Sequence, residues 1–386
     1  MQILFRPIEP LDVVARAPDW DGALDGFDAA TREAVQRRYE ETVDRWAQAF
    51  GIAPSTLSRT ADLEDWTENA VRFLAASDTG LPTHVLKREM FKGAPEFDRT
   101  FGDAFDPSAP TLFVGSTLRW EPLYAPAMTG DPRPVPDLRW PVGGHYGRGG
   151  DYWRSPTLMA GLNRPAFVSS GNMEGERGYA AMTRRVLAAG ADQVIAKIVF
   201  QGKYQNPETL GLRREPDGSV SDDAIWKAYY DAFDANLMDC DGRENCFLVQ
   251  ARIPMAMEYR IVVIDGSPVA GAGVLPRLSP IFHDPALGPF DPLMAERPKG
   301  APLESRPDLV GRYLAQARAL CAQVSRQGED EFLNCTMDFA LDASRDEVVL
   351  IETNPLDNFG LYAMDFDAVM EAIVKATAPA PERPGP

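Results

Sequence analysis

Between Ala29 and Phe50 the apolar residues Ala34, Val35, Tyr39, Val43, Trp46, Ala47 and Phe50 recur at the spacing of one helix face, and Gly51 follows as a stop signal. A second helix is predicted over 63–76. The run TLFVG at 111–115, bounded by Pro110, reads as a strand. From 120 to 165 the chain is rich in Pro, Gly, Trp and Arg, which predicts long loops. Beyond 166 the texture changes to helices alternating with strands: a helix at 178–189, the strand QVIAKIVF at 193–200, and a helix at 224–237 with Ile225, Trp226, Tyr229, Tyr230 and Phe233 at helical spacing. Strands follow at 246–250, 258–264 and 268–275, the last two joined across Asp265-Gly266, a strong hairpin signal. After a proline-rich excursion come a helix at 308–326, strands at 334–341 and 347–353, and a helix at 365–376. The pattern places a domain boundary near 165, giving domains at 1–165 and 166–376, and leaves 377–386, with four prolines and little to bury, as an expected disordered tail.

Composition narrows the class of protein without changing that outline. The 386 residues allow two or three domains, and 45% hydrophobic with 25% charged residues is ordinary for a globular chain. No apolar run approaches a bilayer-spanning length, so no membrane partner is expected. The balance of 39 basic against 57 acidic residues gives −18, which repels a phosphate backbone and argues against nucleic acid as a partner. The opening MQILFRPIEP lacks the apolar core of a secretory signal. Cys240, Cys246, Cys321 and Cys335 contain no C-x-x-C pair and only three His are present, so neither disulfides nor zinc are suggested, and buried thiols in a reducing cytoplasm are the expectation.

The chemistry concentrates in MDFAL at 337–341 and VVLIETNP at 348–355. Asp338 lies on the first predicted strand, and Glu352 and Asn354, two apart, share one face of the second. Oxygen ligands facing one point suit Mg²⁺, with Mn²⁺ as a substitute; the alternative is a pair of strands with an ordinary solvated face. Upstream, Lys197 interrupts the apolar VIAKIVF, Gln250 to Ile253 follows the strand FLV, Glu258 lies eight residues beyond Gln250, and Arg260 alternates with Tyr259. Lys203 sits in the glycine-containing segment GKYQNPETLG, which is no Walker A sequence.

The spacing of Asp338, Glu352 and Asn354, with Lys197, Gln250 and Glu258 in order before them, resembles the ATP-grasp superfamily, in the style of its carboxylate–amine ligases. The resemblance implies an α+β ATP-grasp fold, two α+β subdomains gripping ATP with a hinge near 250–254, preceded by an α/β domain like that of a phage-and-bacterial clade. It implies that Lys197 contacts the nucleotide phosphates, that Gln250, Arg252 and Ile253 hold the adenine through hinge backbone, and that Glu258 binds the ribose. Arg260 would serve the γ-phosphate or an acyl phosphate, Lys203 would belong to a loop closing over the phosphates, and Asp338, Glu352 and Asn354 would hold Mg²⁺. Two positions depart from the pattern: Thr336 stands where many relatives carry an arginine, and the usual lysine at the start of the domain has only Arg184 and Arg185, in a helix, as candidates. In the amino-terminal third, Ser116 and Thr117 read equally as caps or ligands. Arg119, Arg139, Arg148 and Arg154, interleaved with Trp120, Trp140, His145, Tyr146 and Trp153, suit either recognition of an anionic or planar group or stacking at a domain interface. The implied function is an ATP-dependent ligase joining a small-molecule or peptide carboxylate to an amine with release of ADP and phosphate; a small-molecule kinase or a non-catalytic nucleotide-binding module are the alternatives.

Overall fold

The protein is described here by a computed structural model that covers residues 1–6, 15–16, 24–51, 55–56, 61–86, 97–101, 106, 109–115, 138–139, 151–170, 172–199, 207–239, 247–356 and 359–377. The architecture is mixed α+β. The chain divides into two compact units, one formed by 1–150, 256–340 and 352–386, the other by 151–255 and 341–351. The loop residues Ser116, Thr117, Arg119, Trp120, Trp140, His145, Tyr146 and Arg148, together with Lys203, Cys240, Cys246 and 378–386, lie outside the described residues. Among the described residues no helix is long and apolar enough to cross a membrane.

The first unit begins with a five-stranded sheet in the order Phe97–Phe101, Thr83–Leu86, Gln2–Arg6, Thr111–Gly115, Leu138–Arg139, parallel except at the Phe97–Phe101 edge. The helix Ala29–Phe50 forms as its sequence pattern predicts: Asp28 caps its start by accepting the Thr31 N–H at 2.7 Å, and Gly51 ends it in the left-handed region. It buries Val35, Tyr39, Val43 and Trp46, while the Ala61–Asp78 helix contributes Trp66, Ala70 and Phe73. The Trp46 ring meets those of Trp66 and Phe73 edge-on, with centroids 6.0 and 5.5 Å away. The same core continues into Val369, Met370 and Ile373 of the Phe366–Thr377 helix.

A second sheet runs Ser267–Gly273, Met255–Ile264, Cys335–Asp342, Glu347–Asn354. Asp265 and Gly266 both adopt positive φ, 48° and 70°, as a tight two-residue hairpin requires, and the Asp265 N–H donates to Asn334 Oδ1. Tyr313, from the Pro307–Arg326 helix, stacks on Tyr259 and Phe339 with centroids 5.7 and 6.1 Å away, and its hydroxyl donates to the Met257 carbonyl. Those contacts fix the centre of the strands that carry the candidate chemistry.

The second unit holds an antiparallel sheet in the order Glu208–Thr209, Val194–Ile198, Phe247–Ala251, Ala166–Val168. Val194, Ala196 and Ile198 pack with Phe247, Val249 and the helix residues Tyr179, Val186, Tyr229 and Phe233. Because strand side chains alternate, Lys197 points to the face opposite this core. The Phe247–Ala251 strand is buried at every position, which accounts for its apolar run Phe247 to Val249.

Candidate functional site

The sheet of the first unit brings Arg260, Asp338, Glu352 and Asn354 together. Arg260 and Asp338 are 7% and 5% exposed, and the guanidinium grips the carboxylate with both arms: Nε donates to Oδ1 at 2.7 Å and Nη2 to Oδ2 at 2.6 Å. Its third nitrogen, Nη1, donates to the Gly360 carbonyl at 3.1 Å, and the group lies over the Tyr362 ring, 5.2 Å from the centroid. The amide Nδ2 of Asn354 donates to Asp338 Oδ2 at 3.1 Å and to Glu352 Oε1 at 3.2 Å. Strand alternation puts Glu258 on the same face as Arg260.

Among the described residues, three carboxylates, Glu258, Asp338 and Glu352, lie in the field of the Arg260 guanidinium. Burial, reinforced by the Asp338 and Glu352 charges and opposed by Arg260, pushes the Glu258 carboxyl up to about 7. Burial also pulls the Arg260 guanidinium downward, but the charge and hydrogen bonds of Asp338, then Tyr362 and Glu352, outweigh it and the net shift is upward. Carboxylates gathered in a poorly solvated place suit a cation, and their oxygen donors are hard. Among the described residues, no three His, Cys, Asp or Glu side chains are arranged to hold a metal ion. Two carboxylates and an amide suit Mg²⁺, which takes few protein ligands and completes its shell with water and phosphate oxygens. To join them, the Asn354 amide would turn its Oδ1 toward the ion in place of the Nδ2 it now presents.

The candidate residues of the second unit are placed differently. Gln250 is 6% exposed and its Oε1 accepts from Arg164 Nε at 3.0 Å. Arg164 also donates to the carbonyls of Leu162 at 3.3 Å and Leu350 at 3.0 Å, and burial pulls its pKa down to about 10. The Gln250 side chain is thus occupied in holding structure. Arg252 is exposed, its Nη1 donating to Gln193 Oε1 at 2.6 Å and its backbone N–H to the Gln193 carbonyl. The Ala251 N–H donates to the Pro165 carbonyl. Among the described residues of 251–253, Ile253 is the one whose N–H has no such commitment.

The two helix arginines are also engaged: Arg184 pairs with Asp222, and Arg185 lies over the Phe167 ring, 4.4 Å from its centroid. Neither is held ready for a ligand. Thr336 is fully buried, and among the described residues its hydroxyl has no hydrogen-bond partner. Asp338, two residues on, is held by Arg260 from another strand. Arg154 is exposed beside Asp151, at 3.7 Å. Sequence reasoning missed Arg164 altogether; its one signal is an arginine set between Leu162 and a buried strand, with Pro165 after it.

No known family profile matches the sequence, and no curated protein matches it. Solved structures do resemble the chain. A RimK-domain ATP-grasp protein from Sphaerobacter thermophilus matches with 15% identity over 80% of this chain and 92% of its own, at a TM-score of 0.37. D-alanyl-alanine synthetase A from Vibrio cholerae matches with 10% identity over 98% and 94%, at 0.42. The ATP-grasp ligase PsnB, solved with a minimal precursor, matches with 13% identity over 98% and 99%, at 0.38. At this level of likeness function has to be argued from the side chains of this chain.

Proposed function

We propose that the chain is an ATP-dependent ligase that activates a carboxylate as an acyl phosphate and joins it to an amine, releasing ADP and phosphate. The carrying observation is the carboxylate cluster: Asp338 and Glu352 on adjacent strands, bridged by Asn354, with a buried arginine on Asp338. Asp338, Glu352 and Asn354 would hold Mg²⁺ or Mn²⁺, which supplies charge neutralisation at the phosphates. Arg260 offers a fork-shaped donor to a phosphoryl oxygen, and Lys197 and Lys203 offer point charges. Glu258 would accept the ribose hydroxyls, and the backbone of Gln250, Arg252 and above all Ile253 would read the adenine edge. In the reaction, a carboxylate oxygen attacks the γ-phosphorus and the bond to the β,γ-bridging oxygen breaks, so ADP leaves. The amine nitrogen then attacks the acyl carbon, gives up a proton, and phosphate departs. The protein's share is positioning and charge stabilisation.

Incubating the chain with Mg-ATP and mixed carboxylate and amine metabolites, then analysing nucleotides and products, tests this. Equal amounts of ADP, inorganic phosphate and an amide are expected, with hydroxylamine diverting the acyl phosphate to a hydroxamate. AMP with pyrophosphate, or a stable phosphorylated product, would overturn it.

A further inference from the structure

We propose that Tyr313, from the Pro307–Arg326 helix, is a positioning residue for Glu258, which it aims by locking the backbone one residue before it. This role rests on the ribose contact proposed for Glu258 above, and adds to it the device that sets the direction of the side chain. Met257, near the start of the Met255–Ile264 strand, has a φ of 56°. A left-handed conformation is costly for any residue with a Cβ and persists only where the surroundings enforce it. Two neighbours do so here: the Met257 N–H donates to the Glu296 carbonyl at 3.4 Å, and the Met257 carbonyl accepts from the Tyr313 hydroxyl at 2.8 Å. One residue on, the Glu258 carbonyl accepts from the Val274 N–H at 3.0 Å. The two peptide planes that flank the Glu258 Cα are therefore both held, the first through the Met257 carbonyl and the second through that of Glu258. Because each plane is rigid, holding both fixes φ and ψ at 258, and with them the direction of the Cα–Cβ bond. The Tyr313 ring is itself fully buried and stacked on Tyr259 and Phe339, so its hydroxyl is a fixed point. Of these three bonds the one from Tyr313 comes from a side chain, and it can be removed while the backbone bonds stay.

Titration calorimetry on the full chain tests this by comparing its affinity for Mg-ADP with that for the dideoxy analogue, which lacks both ribose hydroxyls. Wild type should prefer ADP by on the order of tenfold, and Glu258→Ala should abolish the preference. Tyr313→Phe keeps the stacked ring and removes the hydroxyl. It should lower the preference to about threefold or less, by weakening ADP while leaving the analogue unchanged. Met257→Gly, which takes a positive φ without cost, should keep the preference, whereas Met257→Val, whose branched side chain resists that conformation, should lose it as Tyr313→Phe does. A contribution to stability alone would weaken both nucleotides alike. An unchanged preference in Tyr313→Phe, or an equal fall in the two Met257 variants, overturns the positioning role. Should Tyr313→Phe fail to fold by circular dichroism, the comparison of the two Met257 variants carries the test. No preference in wild type, or a preference that survives Glu258→Ala, overturns the ribose contact itself, which is a separate result.

Discussion

In the sheet that carries Asp338, polar side chains from three strands turn toward one another, whereas in the sheet that carries Lys197 the polar groups near the chain's turn at 250–253 are committed to holding backbone in place. The first arrangement gathers carboxylates, an amide and a guanidinium at one place. The second spends Arg164 on Gln250 and two carbonyls, and Arg252 on Gln193. Polar residues at similar sequence positions can thus be reactive capital in one sheet and mortar in the other, and only their partners tell which.

The largest effect that would separate the two regions is on turnover. Glu352→Gln keeps the shape of the cluster but removes a hard anionic ligand, so activity should fall a hundredfold or more, on the order expected for losing several kcal/mol of phosphate stabilisation, while circular dichroism stays unchanged. Activity retained near wild type would show that the first region is also structural. Asp338→Ala should instead cost about 3–5 kcal/mol of stability in chemical denaturation, because it strands Arg260 as a buried, unpaired charge. Arg164→Ala should destabilise by about 1–3 kcal/mol, by orphaning Gln250 and carbonyl acceptors, and leave chemistry at bound nucleotide largely intact. A collapse of turnover without loss of stability would move Arg164 into the reactive class.

The smallest effect is a pH dependence. The Glu258 carboxyl, raised from 4.5 to about 7, is protonated more readily in the folded chain than in the unfolded one. Its contribution is therefore fully favourable below about 4.5 and is lost as pH rises through about 7. In the metal-free protein, Glu258→Gln should match wild type near pH 4 and exceed it at pH 8, on the order of 1–2 kcal/mol after allowance for screening, as read from thermal or urea midpoints. Identical pH profiles for the two would show that neither burial nor the charges of Asp338 and Glu352 perturb Glu258.

How much of this was legible in the sequence depends on range. The Ala29–Phe50 helix, its glycine stop, the Thr111–Gly115 strand and the Asp265-Gly266 turn follow from local pattern, and the strand pair bearing Asp338, Glu352 and Asn354 is displaced by only a residue at its ends. The two-apart spacing of Glu352 and Asn354 fixed their common face. What pattern could not reach were pairings between distant segments: Arg260 on Asp338, and Arg164 on Gln250. Periodicity records which face a side chain takes and nothing about the strand that lies beside it. The hinge role of Gln250 and Arg252 is implied by the resemblance through their backbone, and their side chains are tied elsewhere.

The cores of the two units differ in when they can be completed. One gathers its residues from Tyr179 to Ala251, a single stretch of chain, and the other needs both Ile3 and Ile373. On a chain emerging in order from the ribosome, the Gln2–Arg6 strand is made long before the Phe366–Thr377 helix that completes its core. Its apolar residues Ile3, Leu4 and Phe5 must wait until that helix appears with only part of their eventual cover. In biosynthetic time, the interval during which Ile3 and Phe5 lack part of their cover is set by the sequence separation of the Gln2–Arg6 strand from the Phe366–Thr377 helix.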